Sequence, residues 1–218
     1  MCWYDRLTFL ASGDFRNAVK TLGCLPRTYT GDVLLAMNDL DLDIVARNVI
    51  MLLPALFIED SHQAVQSIIH IWYSANIRPT DARFLSEVIH PMIEDVCLKI
   101  AERSDQSLQA KTWRVGKSSL RLVLKKESWK ALLSYSSLPA GTTVQQARSK
   151  RIAVTKAEQQ HEIYRDFCFL HPENRVGKEK YRDDGIMLPF GASRADFTIP
   201  NPYVWLHDLR DSHPGQIY

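Results

Sequence analysis

Apolar residues along the first third of this chain fall into short strand-like runs separated by stretches of helical spacing. Residues 6–14, RLTFLASGD, form one such run and end in Ser12-Gly13-Asp14; FRNAVKTLGCL follows, with Phe15, Val19 and Leu22 at helical spacing. Residues 32–39, DVLLAMND, form a second run. Neither Val33–Met37 nor Phe9–Ala11 alternates cleanly, which predicts neighbouring parallel strands covered on both faces. Asp39, Asp41 and Asp43 then precede LDIVARNVIMLLPALFI, which is apolar on most of its circumference and predicts a helix buried on more than one side. Strand, helix, strand, helix is a βαβ order and implies a parallel sheet.

Beyond this unit helical patterns dominate. HQAVQSIIHIWYSANI (62–77) aligns Val65, Ile68, Ile69 and Trp72 on one stripe, and DARFLSEVIHPMIEDVCLKIAER (81–103) continues in that style with a break or kink predicted at Pro91. SSLRLVL (118–124) reads as a strand and KESWKALLSY (126–135) as a helix; turn residues at 139–143 open another helix predicted to run to about Tyr164. From HPENRVG onward Gly, Pro and Asp become frequent and the periodicity fades. A full doubly wound sheet needs about six strands, and this pattern supplies three. The chain therefore reads as α/β with an incomplete parallel sheet over residues 1–110 and an α/β extension over residues 111–218 that continues in a longer parent protein. An unfinished sheet predicts a poorly soluble or oligomeric chain.

Composition changes this picture little. With 45% hydrophobic and 24% charged residues and a net charge of +2, the 218 residues are those of an ordinary globular protein. The basic residues Lys125, Lys126, Arg148, Lys150 and Arg151 are scattered, whereas a nucleic-acid binder concentrates its charge on one face; no nucleic-acid partner is expected. The N-terminus lacks a basic n-region and a cleavage site, and the longest apolar run, Val49–Ile58, is far short of the roughly 20 residues of a membrane span. Cys2, Cys24, Cys97 and Cys168 form no CxxC pair, so neither a zinc module nor a disulfide framework is expected, and a reducing, cytoplasmic setting is.

Two stretches carry candidate chemistry. In a nucleotide-binding βαβ unit the loop after the first strand needs glycine for close backbone approach, and an acid after the second strand accepts from ribose hydroxyls. Gly13, flanked by Ser12 and Asp14, and Asp39, 26 residues after Gly13, stand at about that offset. The alternative is structural: Asp14 caps the first helix and Asp41 or Asp43 the second. Arg16, one turn into the first helix, is expected to pair with Asp39. His62, His70 and His90 share no metal-ligand spacing with the cysteines, and His70 within SIIHIWY reads as a hydrogen-bonded core histidine. Ser12 and Cys24 sit in no nucleophile elbow. Asn201, between two prolines and followed by Tyr203, is similar to the acceptor-nitrogen loop of amino-methylating enzymes, but its position favours an ordered, proline-braced loop.

Taken together, FLASGDFRNAVKTL, NDLDLDIVARNVIMLL, HIWYSANI, SLQAKTW, SLRLVLKKESWKALLSY and YRDDGIMLPFGASRADFTIPNP resemble a family of fungal proteins of unassigned function. The domain of that family is similar to the N-terminal region of dynein axonemal assembly factor 3 and often accompanies a MYND-type zinc finger. The resemblance covers nearly the whole chain in order. It implies a Rossmann-like, class I methyltransferase-like fold with a mainly helical, family-specific C-terminal half. Gly13 and Asp14 would then occupy the S-adenosylmethionine loop and Asp39 the ribose-binding position. ASGD departs from the pattern by lacking repeated glycines, no catalytic motif follows, and the cysteines do not fit a MYND finger. The expected function is a protein-interaction or assembly module with an unidentified protein partner, no catalysis and no cofactor; the alternative is an active S-adenosylmethionine-dependent methyltransferase acting on a protein or small molecule.

Overall fold

The computed structural model describes residues 4–138, 141–155, 169–189 and 191–204. The chain divides into two compact units, Met1–Val49 and Ile50–Tyr218. It mixes helices with small parallel and antiparallel sheets.

The first unit begins with β1 (Tyr4–Leu10), α1 (Arg16–Gly23) and β2 (Asp32–Asn38), and ends within α2 (Leu42–Phe57). β1 and β2 pair in parallel, with Leu7 opposite Leu35 and Phe9 opposite Met37, because α1 supplies the crossover that returns the chain in the same direction. The expected cover on both faces is absent from the described residues. Val33, Leu35 and Met37 are half-buried, while the opposite face stays in solvent, with Leu34 45% and Leu10 74% exposed. Among the described residues two strands form this sheet, and its pattern is the one-sided alternation of a half-covered strand. α1 buries Ala18 just after Phe15, and leaves Val19 and Leu22 exposed. α2 is buried on most of its circumference from Ala46 to Leu53, as its apolar breadth predicts.

The second unit continues α2 and adds α3 (Ser61–Tyr73), whose N-terminus is capped by Asp60 accepting from the Gln63 amide at 2.7 Å. The predicted stripe on α3 is displaced. Its buried face carries Ala64, Ser67, His70 and Ile71, while Val65 and Ile69 are exposed. The polar residues face inward because they meet a buried carboxylate, Asp81, from the next helix. A short antiparallel pair joins β3 (Asn76–Ile77) to a late strand, Ile199–Pro200. Between them, α4 (Pro79–Phe84) passes through a π-helical turn, Leu85–Ile89, into α5 (His90–Lys99). Pro91 accounts for that turn: its ring cannot tolerate the carbonyl four residues back, and the His90 amide bonds five residues back, to Leu85 O.

β4 (Leu108–Val115) and β5 (Ser118–Lys125) form a hairpin with Gly116 at φ +56° in its two-residue turn. α6 (Lys126–Ser134) follows, anchored by Lys126, whose Nζ donates to Ala101 O and Arg103 O in the turn after α5, both at 2.6 Å. α7 (Val144–Thr155) is the described part of the helix expected to reach Tyr164; the remainder lies outside the described residues. The segment expected to lose periodicity contains α8 (Pro172–Asp184), with proline in its first turn and Gly185 as its left-handed C-cap, before the final strand β6 (Ile199–Pro200). The core of this unit centres on Trp129, Tyr135, Ile77, Leu85, Ile89 and Leu132. No described helix is long and apolar enough to cross a membrane.

Candidate functional site

The loop after β1 is folded around Gly13, whose φ of +56° lies in the left-handed region that glycine adopts without strain. Its amide donates to Asp39 Oδ2 at 3.0 Å, and its carbonyl accepts from Asn48 Nδ2 at 2.8 Å. Asn48 Oδ1 in turn accepts from the Phe15 amide at 3.1 Å. The end of β2 and the middle of α2 therefore hold the loop between β1 and α1 from both sides. Asn48, which the sequence places inside the second helix, is the residue whose role the sequence does not reveal. Its signal was a polar side chain within the apolar run ARNVIMLL, where burial demands a partner.

The acidic stretch resolves into three roles. Asp39 Oδ1 accepts from the Asp41 amide at 3.1 Å, so both its oxygens are engaged by main chain. Asp41 is the cap of α2, accepting from the Asp43 amide at 2.8 Å. Asp14 accepts from the Arg16 amide at 2.8 Å and from Arg16 Nε at 2.9 Å. The arginine side chain is the main influence holding the Asp14 carboxyl below its ordinary range, against a smaller upward push from burial. The ion pair expected between Arg16 and Asp39 is thus replaced by one with Asp14, which lies two residues away and aligns with the guanidinium fork. Gly13 and Asp39 are brought together; Asp14 is drawn to the helix start.

An adenosyl cofactor would need free amides in this loop and a ribose-facing acid. Here the Gly13 amide and the Asp39 carboxylate are bonded to each other, and the Phe15 amide is taken by Asn48 Oδ1. A Cβ on Gly13 would meet nothing within 4 Å, so conformation, not a neighbouring protein atom, calls for glycine.

The second unit holds two polar constellations. Asp81, buried at the start of α4, accepts from Ser67 Oγ at 2.7 Å, and from Arg78 Nε and Nη2 at 2.8 and 2.9 Å, with His70 Nδ1 at 3.4 Å. Burial pushes the Asp81 carboxyl upward, but the bonds from His70, Arg78 and Ser67 outweigh it and hold it well below the usual range. His70 is the hydrogen-bonded core histidine expected, with the Phe197 ring edge-on at 4.8 Å. The other constellation lines a cleft of about 600 Å³ between the π-helical turn, the end of α6 and β6. Arg83, Glu87, His90 and Ser136 supply its polar groups; Pro79, Pro200 and Pro202 are among its apolar walls. Ser136 Oγ lies 2.7 Å from Leu133 O, to which it can donate, and 2.9 Å from His90 Nδ1. The helical carbonyl and the imidazole are thus both within hydrogen-bond reach of this hydroxyl.

Asn201 is fully buried and serves the fold. Its Nδ2 donates to Ile71 O at 2.7 Å and Ser74 O at 2.8 Å, and its Oδ1 accepts from the Tyr203 amide at 3.1 Å. No group of three or more His, Cys, Asp or Glu among the described residues could hold a metal ion.

A family model described as a domain of unknown function (DUF4470) matches residues 6–77, the span that contains Gly13, Asp14, Asp39 and Asn48. No curated protein and no solved structure matches the chain.

Proposed function

We propose that the chain carries a Rossmann-like, methyltransferase-like domain that works as a protein-interaction or assembly module without catalysis. The resemblance to the fungal family and to the dynein assembly factor suggests the class. The observation that carries the reading is the closed loop: Gly13 bonds Asp39 through its amide and Asn48 through its carbonyl, so groups that a cofactor would use stabilise the protein instead. The half-exposed parallel sheet, with Leu10 and Leu34 in solvent, offers apolar surface of the kind that partners cover. Isothermal titration with S-adenosylmethionine tests the reading. Absence of heat up to millimolar ligand supports it; micromolar binding abolished by Asp39→Ala overturns it.

A second reading, an active methyltransferase, is favoured by one observation: the space beside the Gly13 Cα is open. A ligand could enter there if the Gly13–Asp39 bond opened, and the same titration decides between the two.

A further inference from the structure

The β4–β5 hairpin presents two different faces. Gln109, Lys111, Trp113, Leu120, Leu122 and Leu124 share one, where Trp113 and Leu122 are buried. The other face gathers its aliphatic residues toward the open end and two arginines toward the turn. In register, Leu108 stands opposite Lys125, Ala110 opposite Val123, Thr112 opposite Arg121 and Arg114 opposite Ser119. Leu108 is 69% and Val123 47% exposed. Arg114 and Arg121 lie diagonally across this face at the turn end, where Lys117 is also exposed. Neighbouring cations are paired, Lys111 with Asp95 and Lys125 with Glu127. Arg114, Lys117 and Arg121 have no acidic partner among the described residues.

We infer that this face docks an extended acidic segment of a partner protein, its carboxylates on Arg114 and Arg121 and its aliphatic side chains on Leu108, Ala110 and Val123. These cations, unpaired among the described residues and beside exposed Leu108 and Val123, carry the inference, and strand spacing is compatible with it. Successive side chains on one face of an extended peptide stand two residues apart, the same interval that separates Arg121 from Val123 on β5. Guanidinium groups take carboxylates in bidentate fashion, and exposed valine and leucine at the same interval give the peptide's aliphatic residues a place to leave water. A single-stranded nucleic acid suits the face less well: it would stack its bases on aromatic rings, and none lies here, since Trp113 points to the buried side. The inference concerns a surface in the second unit and stands apart from the loop around Gly13.

The test uses the full chain and a fluorescein-labelled ten-residue peptide whose every second residue, the set that shares one face when extended, reads Glu, Glu, Val, Val, Val with serine between them, with fluorescence anisotropy at 50 and 300 mM salt. Binding that weakens with salt is expected. Arg114→Ala with Arg121→Ala should weaken it about tenfold, and Val123→Thr should weaken it while keeping the salt dependence. Arg103→Ala, an exposed change off this face, should leave it unchanged, and circular dichroism of every variant should match the parent. Three outcomes would overturn the inference: no binding of the peptide, binding that the double arginine variant leaves intact, or a labelled single-stranded oligonucleotide that binds more tightly than the peptide.

Discussion

Replacing Asn201 by Asp exchanges one NH2 group for an oxygen at nearly constant volume, and the position makes that exchange severe. The Nδ2 group lies 2.7 Å from Ile71 O and 2.8 Å from Ser74 O, and Asn201, Ile71 and Ser74 are each 0% exposed. These carbonyls belong to the C-terminal end of α3, where a helix runs out of its own donors. Asn201→Ala removes three hydrogen bonds at about 1 kcal/mol each and leaves buried carbonyls unpaired, a loss of roughly 3 kcal/mol or more. Asn201→Asp instead brings an anionic oxygen toward two carbonyl oxygens. Burial and that repulsion raise the folded pKa of the new carboxyl above its unfolded value of about 3.9. Between the two values the native state binds more protons than the unfolded state, so stability falls as pH rises through that window. A rise of about two units costs roughly 3 kcal/mol at pH 8 relative to the protonated form. Urea unfolding followed by tryptophan fluorescence at pH 5 and pH 8 should therefore show N201D gaining on N201A as the pH is lowered. Wild-type stability in N201D at pH 8, or a gap from N201A that ignores pH, would refute the capping role.

Asp81→Asn should destabilise by about 3 kcal/mol at neutral pH, since it leaves Arg78 beside a neutral partner. The carboxyl of Asp81 is depressed in the folded state, so its contribution is present above pH about 4 and lost as pH falls below it; the variant's acid-unfolding curve should lack that part of the slope. Gly13→Ala should cost about 1–2 kcal/mol from its φ of +56° alone, because its Cβ meets nothing within 4 Å; a loss beyond about 3 kcal/mol in thermal melts would mean that the loop is sterically closed. Under limiting iodoacetamide, peptide mapping should find exposed Cys24 alkylated well before Cys97, whose thiol is pushed up by partial burial and donates to Trp129 O; faster modification of Cys97 would contradict its half-buried setting.

The parallel pair of β1 and β2 was legible because two unbroken apolar runs bracket a helical spacing, and α2 because its apolar positions surround the helix. What the runs could not reveal is how many layers cover them, and here Leu34 and Leu10 remain in solvent. β4 escaped notice because its inner face is Gln109, Lys111 and Trp113, with one large apolar residue to mark the period. α8 escaped because PENRVGKEKYRDD has almost no apolar stripe; its ends, Pro172 and Gly185, held the signal. The displaced face of α3 has the same origin as the Asp81 cluster, since a buried carboxylate from a distant position drew Ser67 and His70 inward. At the loop, Gly13 and Asp39 were legible as a pair by spacing. That they would bond each other, and that Asn48 would complete the bond set, depended on an approach of α2 that spacing does not encode.

The π-helical turn before Pro91 acts as a phase corrector. Asp81, Leu85, Ile89 and Ile93 recur every four residues and are all buried. In an unbroken α-helix each such step overshoots a full rotation by about 40°, so three steps swing the last side chain about 120° from the first. The wider turn at Leu85–Ile89 takes up an additional residue and cancels that swing. The four-residue rhythm of this segment is thus not a flawed helical pattern but one matched to a helix with a single widened turn. Straightened into a continuous α-helix, the same sequence could hold Asp81 or Ile93 against the interior, but not both on one side.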